Sequence, residues 1–138
     1  MPDLVVDSSV WIDYFNKINS EQVEHLEKLL ITTASVSPII IFPVIMQEVL
    51  QGLVNDISFN TIKENLQGLD HLEYDAYDFA IKAAGLYRSL RRKGVTVKKA
   101  NDCLIAALCI DYNISLFHKD KDFDNIAKHT SLKIYKIK

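Results

Sequence analysis

The segment KKANDCLIAALCIDYN, residues 98–113, joins a polar start to a long apolar run. No side chain between Cys103 and Ile110 is charged or strongly polar, which predicts a helix that is buried on nearly all sides. The same segment nevertheless begins with Asn101 and Asp102. A carboxylate in the first turn of a core helix needs a physical reason, and the rest of the sequence has to supply it.

The composition is that of a soluble globular domain. The chain has 138 residues, of which 49% are hydrophobic and 25% are charged, and we expect a single domain over residues 1–138. The formal charge of −2 gives no overall indication of a nucleic acid or a membrane. The sequence opens directly on MPDLVVD without a signal stretch, and no apolar run approaches the ~20 residues of a membrane span, so we expect a cytoplasmic protein.

The two cysteines, Cys103 and Cys109, both lie in the apolar run. Six residues apart on a helix, they point to different sides, so we do not expect a disulfide between them. They are typical of small core side chains in a reducing compartment. The cysteine and histidine spacings of metal sites do not occur in this sequence.

Short apolar runs alternate with amphipathic segments along the chain. The amphipathic segments predict helices, with Ser8 or Ser9 capping the first of them. The apolar runs predict strands, and this alternation predicts an α/β fold with a mainly parallel central sheet. The predicted strands are Leu4–Val6, Pro38–Phe42, residues 71–74, Ile114–Phe117 and, at the edge of the sheet, residues 132–137.

Acidic side chains fall at the ends of these strands. Asp7 follows the first strand, and Asp120 and Asp122 follow the ISLF strand. Since ligands of open parallel sheets bind at the carboxyl ends of the strands, we expect these acids on one rim, with Asp102 facing the same rim from the apolar helix. Glu48 lies in the largely apolar segment IIIFPVIMQEVL, where a buried charge requires compensation.

Each acid also has an ordinary structural interpretation. Asp7 could be an ordinary aspartate at a strand end that bonds to backbone N–H groups. Asp102 could serve the helix dipole, Asp122 could cap the helix that begins after it, and Glu48 could face solvent beside Gln47. We expect Asp13 to be solvated. Taken together, however, four carboxylates on one rim repel one another unless a cation holds them, and such oxygen-rich sites select Mg²⁺ or Mn²⁺.

The chain resembles the PIN-domain ribonucleases, specifically the VapC-type toxins of VapBC toxin–antitoxin systems. The resemblance rests on four segments in the family's order, LVVDSSVWIDYF, VIMQEVLQG, KKANDCLIAALC and HKDKDF, and it covers essentially the whole chain. It implies a PIN-like three-layer α/β/α fold. It also implies a metal site formed by Asp7, Glu48, Asp102 and Asp120.

The resemblance assigns further roles around this site. Asp122 is a second candidate for the last acid or lies just outside the metal site. Ser9 would orient the first acid, and Asn101 matches the polar residue that precedes the central acid. His118 departs from the family, which often has Thr or Ser two residues before the last acid, and we expect it at the surface near the end of a strand.

The implied function is that of an endoribonuclease that uses Mg²⁺, or Mn²⁺, to hydrolyse RNA phosphodiester bonds. The resemblance also implies a cognate VapB-type antitoxin and a homodimer. Trp11 and Phe15 could serve either contact, although core packing explains Trp11 equally well. Two alternatives stay open: a PIN-like interaction module without catalysis, and a phosphatase of the haloacid-dehalogenase type, whose second acid is replaced here by Ser9.

Basic residues precede the acid-bearing helix in the segment RSLRRKGVTVKK. Arg88, Arg91 and Arg92 share a helical face, and Lys98 and Lys99 follow them. These five side chains could hold RNA phosphates. A solvated helix end, where cations are favourable, explains the arginines nearly as well. The lysines interleaved with the last acids could contact RNA in the same way.

Overall fold

The computed structural model describes residues 3–32 and 39–137. Its centre is a sheet of four strands, β1 Leu4–Val6, β2 Ile39–Ile41, β3 Asp70–His71 and β4 Ser115–Phe117. Their order in the sheet is β3-β2-β1-β4, and every pair of neighbouring strands is parallel. The predicted parallel α/β sheet is therefore confirmed, with the third strand placed slightly earlier than expected. Pro38, which we assigned to β2, lies outside the described residues.

The register of the central strand brings the ends of β1 and β4 together. Leu4 pairs with both Ile39 and Ser115, and Val6 pairs with Phe117. Beyond β4, Leu116 forms an isolated parallel bridge with Ile134. The closing edge strand predicted for residues 132–137 is thus reduced to a single bridge within the described part of the chain.

Seven helices and one short 3-10 turn, Asp56–Ser58, connect the strands within the described ranges. Because parallel crossovers are right-handed and the chain returns across the sheet after β3, the helices before and after β3 fall on opposite faces. The helices are α1 Ser8–Phe15, α2 Glu21–Thr32, α3 Pro43–Gln51, α4 Phe59–Gln67, α5 Ala76–Arg92, α6 Ala100–Asp111 and α7 Lys121–Lys128. Their contacts agree with this placement, since α1 packs against α2 and α3, whereas α6 packs against α5 and α7.

Helix α6 is the buried helix that its apolar run predicts. Ile105, Ala106 and Leu108 are fully buried, and both cysteines are buried and free, as expected from their spacing. Burial raises the pKa of Cys103 to about 11 and that of Cys109 to about 12, and nearby carboxylates add to the shift. Both thiols therefore stay protonated in the core.

One feature at the beginning of the chain differs from expectation. Asp7, and not Ser8 or Ser9, is the N-cap of α1, because its carboxylate accepts a hydrogen bond from the backbone N–H of Ser9. Trp11 is 2% exposed and stacks on Phe15 with 5.7 Å between ring centroids. Core packing, the second of the two explanations for Trp11, accounts for this residue.

None of the helices in residues 3–32 and 39–137 combines the length and apolar character that a membrane crossing requires.

Replacing a buried side chain of α6 with alanine tests how much this helix contributes to the stability of the fold. We expect Leu108→Ala to lower the free energy of unfolding by about 2–5 kcal/mol, because it removes apolar contacts and leaves a cavity at a fully buried position. Urea denaturation measures the change. Ile81→Ala, at a position on α5 that is 72% exposed, is the matched control and should change stability by less than about 0.5 kcal/mol. Equal effects at both positions would show that α6 is not the core helix.

Candidate metal centre

Asp7 connects the central strand to the first helix. Its backbone N–H donates to the carbonyl oxygen of Phe117 at 2.8 Å, which holds it beside the end of β4. Its Oδ2 accepts hydrogen bonds from the Ser9 backbone N–H at 3.3 Å and from the Ser9 hydroxyl at 2.6 Å. The carboxylate is 5% exposed, so Ser9 fixes the direction of a buried charge.

Asp102 faces the same end of the sheet from the first turn of α6. It is 4% exposed, and its Oδ2 is buried without a hydrogen-bond partner among the residues that the structure describes. Burial is the largest cause that raises the pKa of Asp102 to about 7, followed by the negative charges of Asp7 and Asp120. Glu48 raises this pKa further, whereas Lys99 lowers it. The carboxylate at the start of the core helix therefore faces three other acids.

Glu48 reaches this group from α3. It is half-buried, and its Oε1 is buried without a hydrogen-bond partner in the described part of the chain. One carboxylate oxygen of Glu48 therefore points into the protein, which differs from the interpretation in which this side chain faces solvent. A buried, unpaired carboxylate oxygen is destabilising by about 1–3 kcal/mol or more.

The acids after β4 complete the cluster. One carboxylate oxygen each of Asp102, Asp120 and Asp122 lies within 4.8 Å of the other two. Asp120, and not Asp122, is the N-cap of α7, since its Oδ1 accepts from the backbone N–H of Asp122 at 3.0 Å. The capping role suggested for Asp122 was therefore wrong, and this residue joins the acids from the first helical turn.

One pocket of about 380 Å³ collects these side chains. Asp7, Glu48, Asp102 and Asp120, the four acids grouped from the sequence, all line it, although Asp122 does not. Two of the four carry buried oxygens that lack partners in residues 3–32 and 39–137. An arrangement of several carboxylate oxygens with unsatisfied atoms fits a hard divalent cation, because such an ion both neutralises the charges and fills their empty acceptor sites.

Asp13 is an acid of this pocket that sequence reasoning missed. We expected it in solvent, but it is 8% exposed, and its Oδ2 forms an ion pair with the Nζ atom of Lys119. Both side chains line the acidic pocket. The available signal was its spacing, since position 13 lies one helical turn after Ser9 and therefore on the pocket face of α1.

His118 is a structural residue, and the expected surface position was wrong. Its side chain is 4% exposed, and its ring centroid lies 5.3 Å from that of Phe123. Nδ1 accepts from the Asp120 backbone N–H at 2.8 Å, so the proton is on Nε2, which donates to Asp124 at 3.1 Å. His118 thereby holds the backbone that carries Asp120.

The remaining predicted residues lie around the pocket in different ways. Lys99 lines it directly, whereas Lys98 and Asn101 are exposed. The three arginines of α5 line a separate surface cavity of about 420 Å³, as their shared helical face predicts, and all three are exposed. They are Arg88, Arg91 and Arg92.

The fold and the pocket define an α/β domain that gathers acidic side chains at the carboxyl ends of parallel strands. Residues 4–129 match the PIN domain. VapC ribonuclease Mb1587 of Mycobacterium bovis and ribonuclease VapC11 of Mycobacterium tuberculosis are each 39% identical to this chain over 130 residues, 94% of this chain and 95% of theirs. The chain therefore belongs to the PIN-domain family.

Solved structures share its fold. VapBC2 from Rickettsia felis, bound to a DNA fragment from its promoter, matches with a TM-score of 0.74 and 18% identity over 96% of each chain. DNA-bound VapBC from Salmonella typhimurium matches with a TM-score of 0.71 and 20% identity over 98% of each chain. At these identities the likeness concerns the fold, and it confirms the PIN-like α/β architecture.

The raised pKa of Asp102 predicts a pH-dependent stability in metal-free protein. Its carboxyl binds a proton more tightly in the folded chain, with a pKa of about 7, than at the ordinary value of 3.8. Stability from this group is therefore present below pH 3.8 and is lost as the pH rises to about 7, by roughly 4 kcal/mol at most.

Asp102→Asn should remove this loss because the amide does not ionise. In urea denaturation with EDTA, we expect the variant to exceed the wild-type protein in stability at pH 8 and to match it more closely at pH 5. Glu64→Gln, which removes an exposed acid from α4, is the control and should follow the wild-type curve. Parallel curves for Asp102→Asn and wild type would contradict the crowding of charges at this site.

Proposed function

We propose that this protein is a metal-dependent endoribonuclease and the toxin of a VapBC-type toxin–antitoxin pair. The observation that carries the proposal is the meeting of four acids from separate elements in one pocket, two of them with buried, unpartnered oxygens within the described residues. The named relatives, VapC ribonucleases at 39% identity over nearly the whole chain, support the same activity. Such an enzyme would act in the cytoplasm.

The ligands of the ion would be Asp7, Glu48, Asp102 and Asp120, with Asp122 as an alternative or supporting acid. Mg²⁺ is the expected ion, and Mn²⁺ would bind the same oxygens. When bound, the ion supplies an acidified water for attack on phosphorus and offsets charge on the phosphate. Ser9 would keep Asp7 aimed into the pocket, and His118 would do so for Asp120 through its backbone.

The substrate would enter as a polyanion against an acidic pocket, so positive charge is needed nearby. Lys99 lines the pocket and is a predicted phosphate contact there. Arg88, Arg91 and Arg92 form an exposed basic face that would hold RNA further along its backbone, with Lys98 between the two regions in sequence. Such contacts fix orientation and affinity without selecting a base sequence.

The proposed protein partner is a VapB-type antitoxin, and the proposed assembly includes a homodimer of this chain. The structures from Rickettsia felis and Salmonella typhimurium are VapBC complexes, which supports a partner of this kind. An antitoxin that covers the pocket would have to compensate the acids there, so its contact segment should carry a basic side chain.

Cleavage of a structured RNA tests the activity. We expect wild-type protein to cut RNA with Mg²⁺ and to stop with EDTA, and we expect Asp7→Asn and Asp102→Asn to lower the rate by at least about a hundredfold, because each removes a ligand charge. Gel electrophoresis of end-labelled RNA measures the rate and should show 5′-phosphate products. Glu64→Gln is the matched control and should cut normally. Binding to a small partner protein without any RNA cleavage would instead favour an interaction module.

The arginine face of α5 is tested by its salt dependence. Replacing Arg88, Arg91 and Arg92 with Ala should weaken RNA binding at low salt. It should also flatten the plot of log affinity against log salt by about 0.7 for each phosphate that the variant no longer neutralises. Fluorescence anisotropy with Ca²⁺ in place of Mg²⁺ measures both. Lys28→Ala removes an exposed charge from α2, which packs against α1 and not, within the described residues, against α5, and serves as control. An unchanged salt slope would mean that the arginines are only a solvated helix end.

A further inference from the structure

The ion pair between Asp13 and Lys119 places a positive charge inside the acidic pocket. Asp13 belongs to α1, Lys119 precedes α7, and 106 residues separate them in sequence. The Asp13 side chain is 11% exposed and that of Lys119 is 37% exposed. One partner is therefore held by the protein interior, and the other remains accessible to a ligand.

Neutralisation of Asp13 alone does not explain this pair. A buried carboxylate requires compensation, and a hydrogen-bonded neutral side chain at position 13 would avoid the charge altogether. The chain instead brings a fifth carboxylate and an ammonium into a pocket that already holds Asp7, Glu48, Asp102 and Asp120. The ammonium therefore lies where it can contact either these acids or a ligand of the pocket.

Lys119 is a potential competitor for the proposed metal ion. It directly precedes Asp120 in sequence and lines the same pocket. Its flexible side chain could therefore form an ion pair with any of several carboxylates there. An ammonium among those acids would satisfy the oxygens that a divalent ion needs. Asp13 instead pairs with Lys119 through a carboxylate that is not among the four proposed metal ligands.

The ammonium of Lys119 can form further hydrogen bonds while it is paired with Asp13. A lysine ammonium has three N–H donors, and the described contact with Asp13 uses one of them. Because Lys119 lines the pocket and its side chain is 37% exposed, the other two donors are accessible to a ligand there. A phosphate oxygen that enters beside the acids would find this donor already in position, at little further loss of side-chain freedom.

We propose that Asp13 and Lys119 form a phosphate-contact pair, in which Asp13 keeps the Lys119 ammonium off the metal-binding carboxylates and presents it to a phosphate of the RNA. The inference rests on the proposed function. It assigns Asp13 as a positioning residue and Lys119 as a substrate contact.

A double-mutant cycle tests whether Asp13 keeps the Lys119 ammonium off the metal-binding carboxylates. Asp13→Asn should lower Mn²⁺ affinity about tenfold, because the released ammonium moves onto the metal-binding acids. Lys119→Met should not lower it, and the double variant should regain the affinity of Lys119→Met. Isothermal titration calorimetry with Mn²⁺ alone gives the affinities, and thermal unfolding shows that each variant is folded. If Asp13→Asn destabilises the fold, Asp13→Ser repeats the cycle. Equal Mn²⁺ affinity in Asp13→Asn and wild type would overturn the proposal.

The kinetics of RNA cleavage test whether Lys119 contacts a phosphate of the substrate. Lys119→Met should raise KM for RNA about tenfold with a smaller change in kcat, and Lys119→Arg should restore most of the loss because it keeps the charge. An unchanged KM in Lys119→Met would also overturn the proposal. The two failures are distinguishable, since wild-type protein that cuts no RNA contradicts the proposed function, whereas the Mn²⁺ cycle reports on the pair without any cleavage.

Discussion

The mutual repulsion of buried carboxylates is the constraint on which this structure depends. Asp7 and Asp102 are both nearly inaccessible to water, and Glu48 and Asp120 share their pocket. Their negative charges add to burial in raising the pKa of Asp102 toward neutrality, which reflects the free energy needed to hold them together. A divalent ion would convert the repulsion into attraction, so the least favourable part of the metal-free fold is the part that fits an ion best.

The rest of the molecule holds these acids against their repulsion. The parallel register of β1 and β4 places Asp7 beside Phe117, and the apolar packing of α6 fixes the turn that carries Asp102. At both strand ends an aspartate also caps the following helix, Asp7 for α1 and Asp120 for α7. The backbone N–H groups at a helix N-terminus stabilise a negative charge, so two of the acids are partly compensated by the fold itself.

Much of this arrangement could be predicted from sequence because it depends on local patterns. Apolar runs predicted the strands and α6, and strand order then brought Asp7, Asp102 and Asp120 to one rim. The spacing from Ser9 could have placed Asp13 on the pocket face of α1, but its ion pair could not be predicted, since the partner lies 106 residues away in sequence. His118 was missed for a similar reason, because its burial depends on how α7 folds back over the strand end.

The two sulfur atoms of α6 give the protein a further property. A thiolate is the form of cysteine that reacts with oxidants and alkylating reagents, and both thiols here are buried with pKa values of about 11 and about 12. Burial, with a smaller contribution from the nearby acids, thus makes both cysteines unreactive toward redox signals, although the same helix begins at the acidic pocket. Thiol-directed oxidants and alkylating reagents should therefore reach both cysteines only when the core opens.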